Sequence, residues 1–213
     1  MINVLHVACS TGNPANDLVN MINNNRTAHK LPKLNDSPGL GCMALQYVES
    51  CKSNCTGNNT VYCKPSEDDF TEVFAPNCGV ELPTFGTITG RIIACRSKYL
   101  EPSLAFSDVL VRDKRTLSII SNKSHSEVGI GMVGVHKGPF FWCVLFSSGS
   151  TNSTFVLENR GLGIKQKKGC FSGSRLPCSE GHKSAAFASN AMIALSFLVY
   201  SLHQLYSNLF MPL

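Results

Sequence analysis

Residues 184–213 contain no Asp, Glu, Lys or Arg, whereas residues 1–183 carry all 33 such residues of the chain. This break divides the chain into a charged, cysteine-rich body and an uncharged, apolar tail. A tail of that composition costs free energy in water unless something covers it. It reads as an address or an anchor, and the foldable part is the body ahead of it. A body of that length supports one core-bearing domain.

The compartment follows from cysteine usage. Ten cysteines among 213 residues have little purpose in a reducing cytosol, and their spacing fits no zinc-ligand pattern. Cys42, Cys51, Cys55, Cys63, Cys78, Cys95, Cys143, Cys170 and Cys178 are the disulfide candidates; the sequence leaves their connectivity open, with a small Cys170–Cys178 loop as one candidate pairing. Six Asn-x-Ser/Thr triplets, at Asn25, Asn35, Asn54, Asn58, Asn122 and Asn152, point the same way, because N-linked glycans and disulfides are made on the same secretory route. Residues 1–12 read as a remnant or truncated signal region: MINVLHVACS lacks a basic start and has a short apolar run broken by His6. If Cys9 is removed with it, nine cysteines remain and one is unpaired.

Local signals outline the body as a domain over 13–158. Asn13-Pro14 is an N-cap followed by proline at the first helical position. Ala15, Leu18, Val19 and Ile22 then recur at helical spacing, so 14–29 is an amphipathic helix ended by Leu31-Pro32. Ser37-Pro38 opens a second helix that runs to about Cys51. Residues 52–90 read as loop, and a third helical stretch is expected from Ser103 to about Ile120. The period then changes. EVGIGMVGV at 127–135 and FFWCVLF at 140–146 are β-branched and aromatic runs joined by His136-Lys-Gly-Pro139, which makes a hairpin. Thr154 to Leu157 is expected to add a short third strand, and 159–183 reads as a Gly-, Lys- and Ser-rich linker. The fold class is α+β, with helices and a small antiparallel sheet.

Chemical motifs are sparse. Gly129-x-Gly131-x-x-Gly134 matches the dinucleotide fingerprint by letter only, since its glycines lie inside a strand and a strand follows. Glycines in that position allow close packing of a layer over the sheet. There is no nucleophile elbow, no H-E-x-x-H motif and no paired carboxylate across a cleft, so no catalytic residue, metal ligand or cofactor is assigned and no enzyme activity is expected. The net charge of +5 is spread out, which gives nucleic-acid binding no support.

The tail carries the strongest functional motif. A glycosylphosphatidylinositol (GPI) signal needs small residues at the cleavage site, a polar spacer of about 8–12 residues and a hydrophobic end. Ser179 is the expected attachment residue, with Gly173 and Ser184 as alternatives, and the hydrophobic end is densest from Ala191 to Leu202. His203, Gln204 and Asn208 interrupt the apolar run, which argues against a spanning helix. The expected location is the extracellular face of the cell membrane, with 184–213 removed on anchoring.

The run 18–26 (LVNMINNNR), then Leu31-Pro32-x-Leu34 and the small-residue helix through Ala44, resembles the opening of the cysteine-rich secretory, antigen 5 and pathogenesis-related-1 (CAP, or SCP) superfamily. Asn122-x-x-His125-Ser126-Glu127-Val-Gly-Ile-Gly131, followed by Phe141-Trp142-x-Val144-x-Phe146, resembles its two central strands. With the tail, the chain is similar to plant GPI-anchored proteins carrying a CAP-like domain. The resemblance implies a disulfide-rich α-β-α sandwich. It also implies, in its best-known members, a cleft of two histidines and two acidic residues that binds divalent metal. This sequence departs there: Thr116 falls near one histidine position, the second helix holds none, and Glu81 and Glu127 are the nearest acidic matches. Other members bind sterols or other lipids. The expected function is therefore a non-catalytic binding or interaction module, glycosylated and held on the outer leaflet; a lipid, a sterol and a cell-wall component are the candidate ligands, and the sequence selects none of them. The alternative is a metal-dependent or lipid-binding CAP-type protein with hydrolase activity, for which His125 or His136 would have to meet Glu81 or Glu127 across a pocket.

Overall fold

The computed structural model describes residues 12–52, 55–56, 61–135, 137–149, 154–161, 168–174 and 178. The described residues all belong to one compact unit, and residues 182–213 lie outside the described residues. Of the expected signal region at 1–12, residues 1–11 fall outside as well, as does the expected tail at 184–213. Among the described residues no helix is long and apolar enough to cross a membrane.

Helix α1 spans Pro14–Ala28 and starts as the residues dictate: the Asn13 side chain accepts from the Ala15 N–H at 3.0 Å, with Pro14 at the first helical position. Its buried stripe is Ala15, Leu18, Val19, Ile22 and Arg26. Strand β1, Asn35–Asp36, follows, and helix α2, Pro38–Ser50, is capped by Ser37. Helix α3, Ala75–Cys78, continues from a π-helical turn at Phe70–Phe74 and ends on Gly79 in the left-handed conformation. Strand β2 is Ile88–Arg96. Helix α4, Pro102–Ala105, passes into a π-turn at Phe106–Leu110, and α5 is Lys114–Ile120. Strands β3 (Glu127–Gly134) and β4 (Phe140–Ser147) form the expected hairpin, and β5 is Cys170–Phe171.

The sheet order is β1-β3-β4-β2, with β5 also paired to β3. Period-two alternation sends Val128, Ile130, Met132, Trp142, Val144, Phe146 and Ile92 to one face, where α1, α4, α5 and the Phe106–Leu110 turn cover them. Val133, Phe141, Cys143, Leu145 and Cys95 point to the other face, under α2, α3 and the Phe70–Phe74 turn. Two helical layers thus sandwich one sheet, the α-β-α architecture of a disulfide-rich α+β fold. Gly129 and Gly131 let α2 lie almost on the sheet: a Cβ at Gly129 would strike the backbone of Leu40 and Gly41, and one at Gly131 the backbone of Ala44 and Leu45.

Four expectations are corrected. The loop expected over 52–90 contains α3 and its π-turn, and β2 begins at Ile88. The single helix expected over 103–120 is broken at Val111, and Asp113 restarts it by accepting from the Thr116 N–H at 2.8 Å. Thr154–Leu157 is not a strand: Phe155 takes a φ of 53°, and only Leu157 pairs, as a single bridge to Val80. The segment read as a linker returns to the sheet as β5, with Cys170, Phe171 and Ser172 buried.

The cysteines resolve into Cys42–Cys78, Cys51–Cys63, Cys55–Cys95 and Cys170–Cys178. The Cys170–Cys178 loop is the expected one. Cys143 is corrected: it is a free thiol, fully buried in β4. Each bridge restricts the unfolded chain by about 2–4 kcal/mol, so together they rival the 5–15 kcal/mol net stability of an ordinary domain.

Two outcomes are expected. Non-reducing peptide mapping will recover these four bridges, with Cys143 alkylated only after denaturation. Gly131→Ala will lower stability by roughly 1–3 kcal/mol through overpacking, seen as an earlier urea midpoint.

Candidate functional site

Charged and titratable side chains converge at one place on the α2 face. The β2 register puts Arg91 opposite Leu145 and Ile93 opposite Cys143, so Arg91 stands beside the buried thiol. Its guanidinium pairs with Glu67 at 2.9 Å and lies close to the Tyr47 hydroxyl. Tyr47 comes from α2, is buried, and packs against Phe70 and Phe74 with ring centroids at 5.5 and 6.1 Å. Phe70 and Phe74 meet edge to face at 5.4 Å, held by the π-turn that carries both. The result is an aromatic wall under a half-exposed cation.

The chemistry available there is recognition. Burial, more than the neighbouring Cys143, pushes the Tyr47 hydroxyl up to about 12. Burial also raises the Cys143 thiol well above its ordinary range. Both keep their protons at neutral pH, so neither is a base or a thiolate nucleophile. The Glu67 side chain is 72% exposed, and an ion pair that open contributes at most about 1 kcal/mol. Arg91 is thus available to exchange Glu67 for another acceptor.

The residues carried over from the family resemblance do not assemble. His125 stacks on Phe146, ring centroids 4.8 Å apart, on the α1/α5 face of the sheet. Glu127 points to the opposite face, in register with Ser147, where the Thr154 hydroxyl donates to its carboxylate. Burial raises the Glu127 carboxyl above the ordinary carboxylate range, although Thr154 and Ser147 oppose this. Glu81 is half-buried and donates its backbone N–H to the Val156 carbonyl at 2.8 Å. Thr116 lies in the first turn of α5, bonded to its cap. Among the described residues no hydrogen bond or ion pair joins Glu81, Glu127 and His125. No group of three His, Cys, Asp or Glu among them is arranged to hold a metal. His136 lies outside the described residues.

Tyr47, Arg91 and Glu67 went unmarked in the sequence. The β-branched pair Ile92-Ile93 within an apolar run was the available sign of β2, and hence of Arg91 at a strand position.

Of the sequons, Asn35 is exposed on β1. Asn122 is exposed in a turn in which its Oδ1 accepts from the Ser124 N–H at 2.9 Å and from the Ser124 hydroxyl at 2.8 Å. Asn25 lies inside α1 with its Oδ1 shut from solvent. Asn54, Asn58 and Asn152 lie outside the described residues, as do the anchor candidates Ser179 and Ser184. Gly173, the other anchor candidate, is built into the domain. It has a φ of 74°, donates to Asn16 Oδ1 at 2.8 Å, and sits inside the Cys170–Cys178 loop. Cleavage there would leave the downstream piece attached through the disulfide.

No protein-family model matches the chain, and no curated protein matches its sequence. Among solved structures, an outer surface protein from Borrelia burgdorferi is similar at 15% identity and a TM-score of 0.46, over 62% of this chain and 89% of that one. A cysteine-rich secretory protein from Staphylococcus aureus is similar at 14% identity and a TM-score of 0.43, over 66% of this chain and 40% of that one. Overlap at this level defines no family. The α-β-α architecture stands on the strand pairing and packing described above.

Glycopeptide mass spectrometry of protein secreted from eukaryotic cells will find glycan at Asn35 and Asn122 and bare Asn25.

Proposed function

We propose that this chain is a glycosylated CAP-like domain displayed on the outer face of the plasma membrane through a GPI anchor, where it serves as a binding module. The observation that carries the reading is the set of four disulfides, because eight cysteines paired within one small domain fit an oxidising compartment. The uncharged tail supports the anchor. Attachment at Ser179 keeps the Cys170–Cys178 loop whole, which favours it over Gly173. The half-exposed Arg91, seated above the buried Tyr47–Phe70–Phe74 ring cluster, supplies a cation for an acidic or polar ligand of membrane or wall origin. His125 and Glu127 on opposite faces of the sheet lend the hydrolase alternative no support.

The test is enzymatic release. The chain is expressed behind a secretion signal, and intact cells are treated with phosphatidylinositol-specific phospholipase C. The expected result is release into the medium of a protein whose mass lacks 184–213. Retention on the membrane with the tail still attached refutes the anchor.

A further inference from the structure

Arg26 is fully buried, and no carboxylate pairs with it among the described residues. Its charge is met by backbone alone. Nε donates to the Pro32 carbonyl at 2.9 Å, and Nη1 donates to Ile120 at 2.6 Å and Asn122 at 2.9 Å. Nη2 has no partner. The guanidinium thus ties the end of α1 to the 120–122 turn, nearly a hundred residues on. A guanidinium buried with only dipoles around it is sensitive to any second charge nearby.

His125 is the neighbour that can supply one. It lies three residues beyond the turn that Arg26 holds, 3% exposed. Its ring rests on Phe146 from β4 and on Gly90 from β2, where a Cβ would collide with it, and Ile119 from α5 flanks the same glycine. Neither ring nitrogen has a well-formed hydrogen bond, although backbone groups of Thr89 and Ile119 approach them. From α1 the charged group facing the ring is Arg26. β2, β4 and α5 present backbone and apolar atoms, and Glu127 lies across the sheet.

We propose that the Arg26–His125 junction is an acid-released latch: protonating His125 places a second buried cation beside Arg26 and frees the 119–126 connection between α5 and β3. Burial first, and the Arg26 charge second, hold the folded imidazole below its ordinary value of 6.5. The unfolded or opened segment therefore binds the proton more tightly. The latch is intact above about pH 6.5 and weakens as pH falls through that value toward the folded one. Asp36 and Glu127, whose carboxyls burial raises, titrate with the opposite sign: folding gains as they protonate. Acid loosening confined to 119–126 therefore cannot come from them.

The experiment is amide hydrogen exchange by mass spectrometry on the disulfide-bonded protein between pH 7.5 and 5.0, corrected for the chemical exchange rate. Exchange over 119–126 should accelerate in the wild type, by up to about tenfold per pH unit of displacement of the His125 titration. It should stay flat in His125→Phe and His125→Gln. Absence of the wild-type acceleration, or its persistence in both variants, overturns the proposal. Imidazole resonances of the wild type give an independent check that needs no variant: His125 titrating at or above 6.5 also overturns it.

Discussion

The seating of α2 on β3 is the contact on which the rest of the molecule depends. Gly129 and Gly131 remove the side chains that would separate helix from strand, so the α2 backbone at Leu40, Gly41, Ala44 and Leu45 meets the sheet directly. From that position α2 presents Cys42 to Cys78 and Cys51 to Cys63. It also brings Tyr47 over the sheet to Arg91. A Cβ at either glycine would push the helix outward and strain both bridges. This one approach thus couples packing, covalent crosslinks and the candidate site.

The two faces of the sheet are stabilised differently. The α1/α5 face is closed by large apolar side chains, with Trp142, Leu18 and Ile22 fully buried, each contributing on the order of 2–3 kcal/mol by removal from water. The buried Arg26 and His125 interrupt that face at one end. On the α2 face three of the four disulfides tie the segments following Cys51 to α2 and β2. Cys143 sits beneath them without a partner, a small apolar filler in the central strand.

Legibility in the sequence tracked the range of the interaction. α1, α2 and the β3–β4 hairpin are written in caps and periods a few residues long, so Asn13-Pro14, Ser37-Pro38 and the glycine-spaced strand placed them correctly. β2 was hidden because its own Thr89, Gly90 and Arg91 mask an apolar alternation that only pairing with β4 completes. The break near Val111 was hidden because the apolar spacing continues through it, and Asp113 acts as a cap only once the chain turns there. β5 lay inside a polar, glycine-rich segment whose burial is decided by β3. The candidate site was less legible still, since Glu67, Tyr47 and Arg91 come from three segments with no local signature.

What the sequence by itself determined is local and compositional: the helix starts, the strand period, a cysteine content suited to disulfides, and the charge-free last thirty residues. These follow from short-range sterics, hydrogen bonding and solubility, which neighbouring residues set. Tertiary structure alone decided which cysteines meet, that Cys143 is left over, that His125 and Glu127 are separated by the sheet, and that Arg26 is buried against a turn 94 residues distant. Those outcomes depend on which segments close over one another, and chain closure over such distances carries no local signal for a sequence to show.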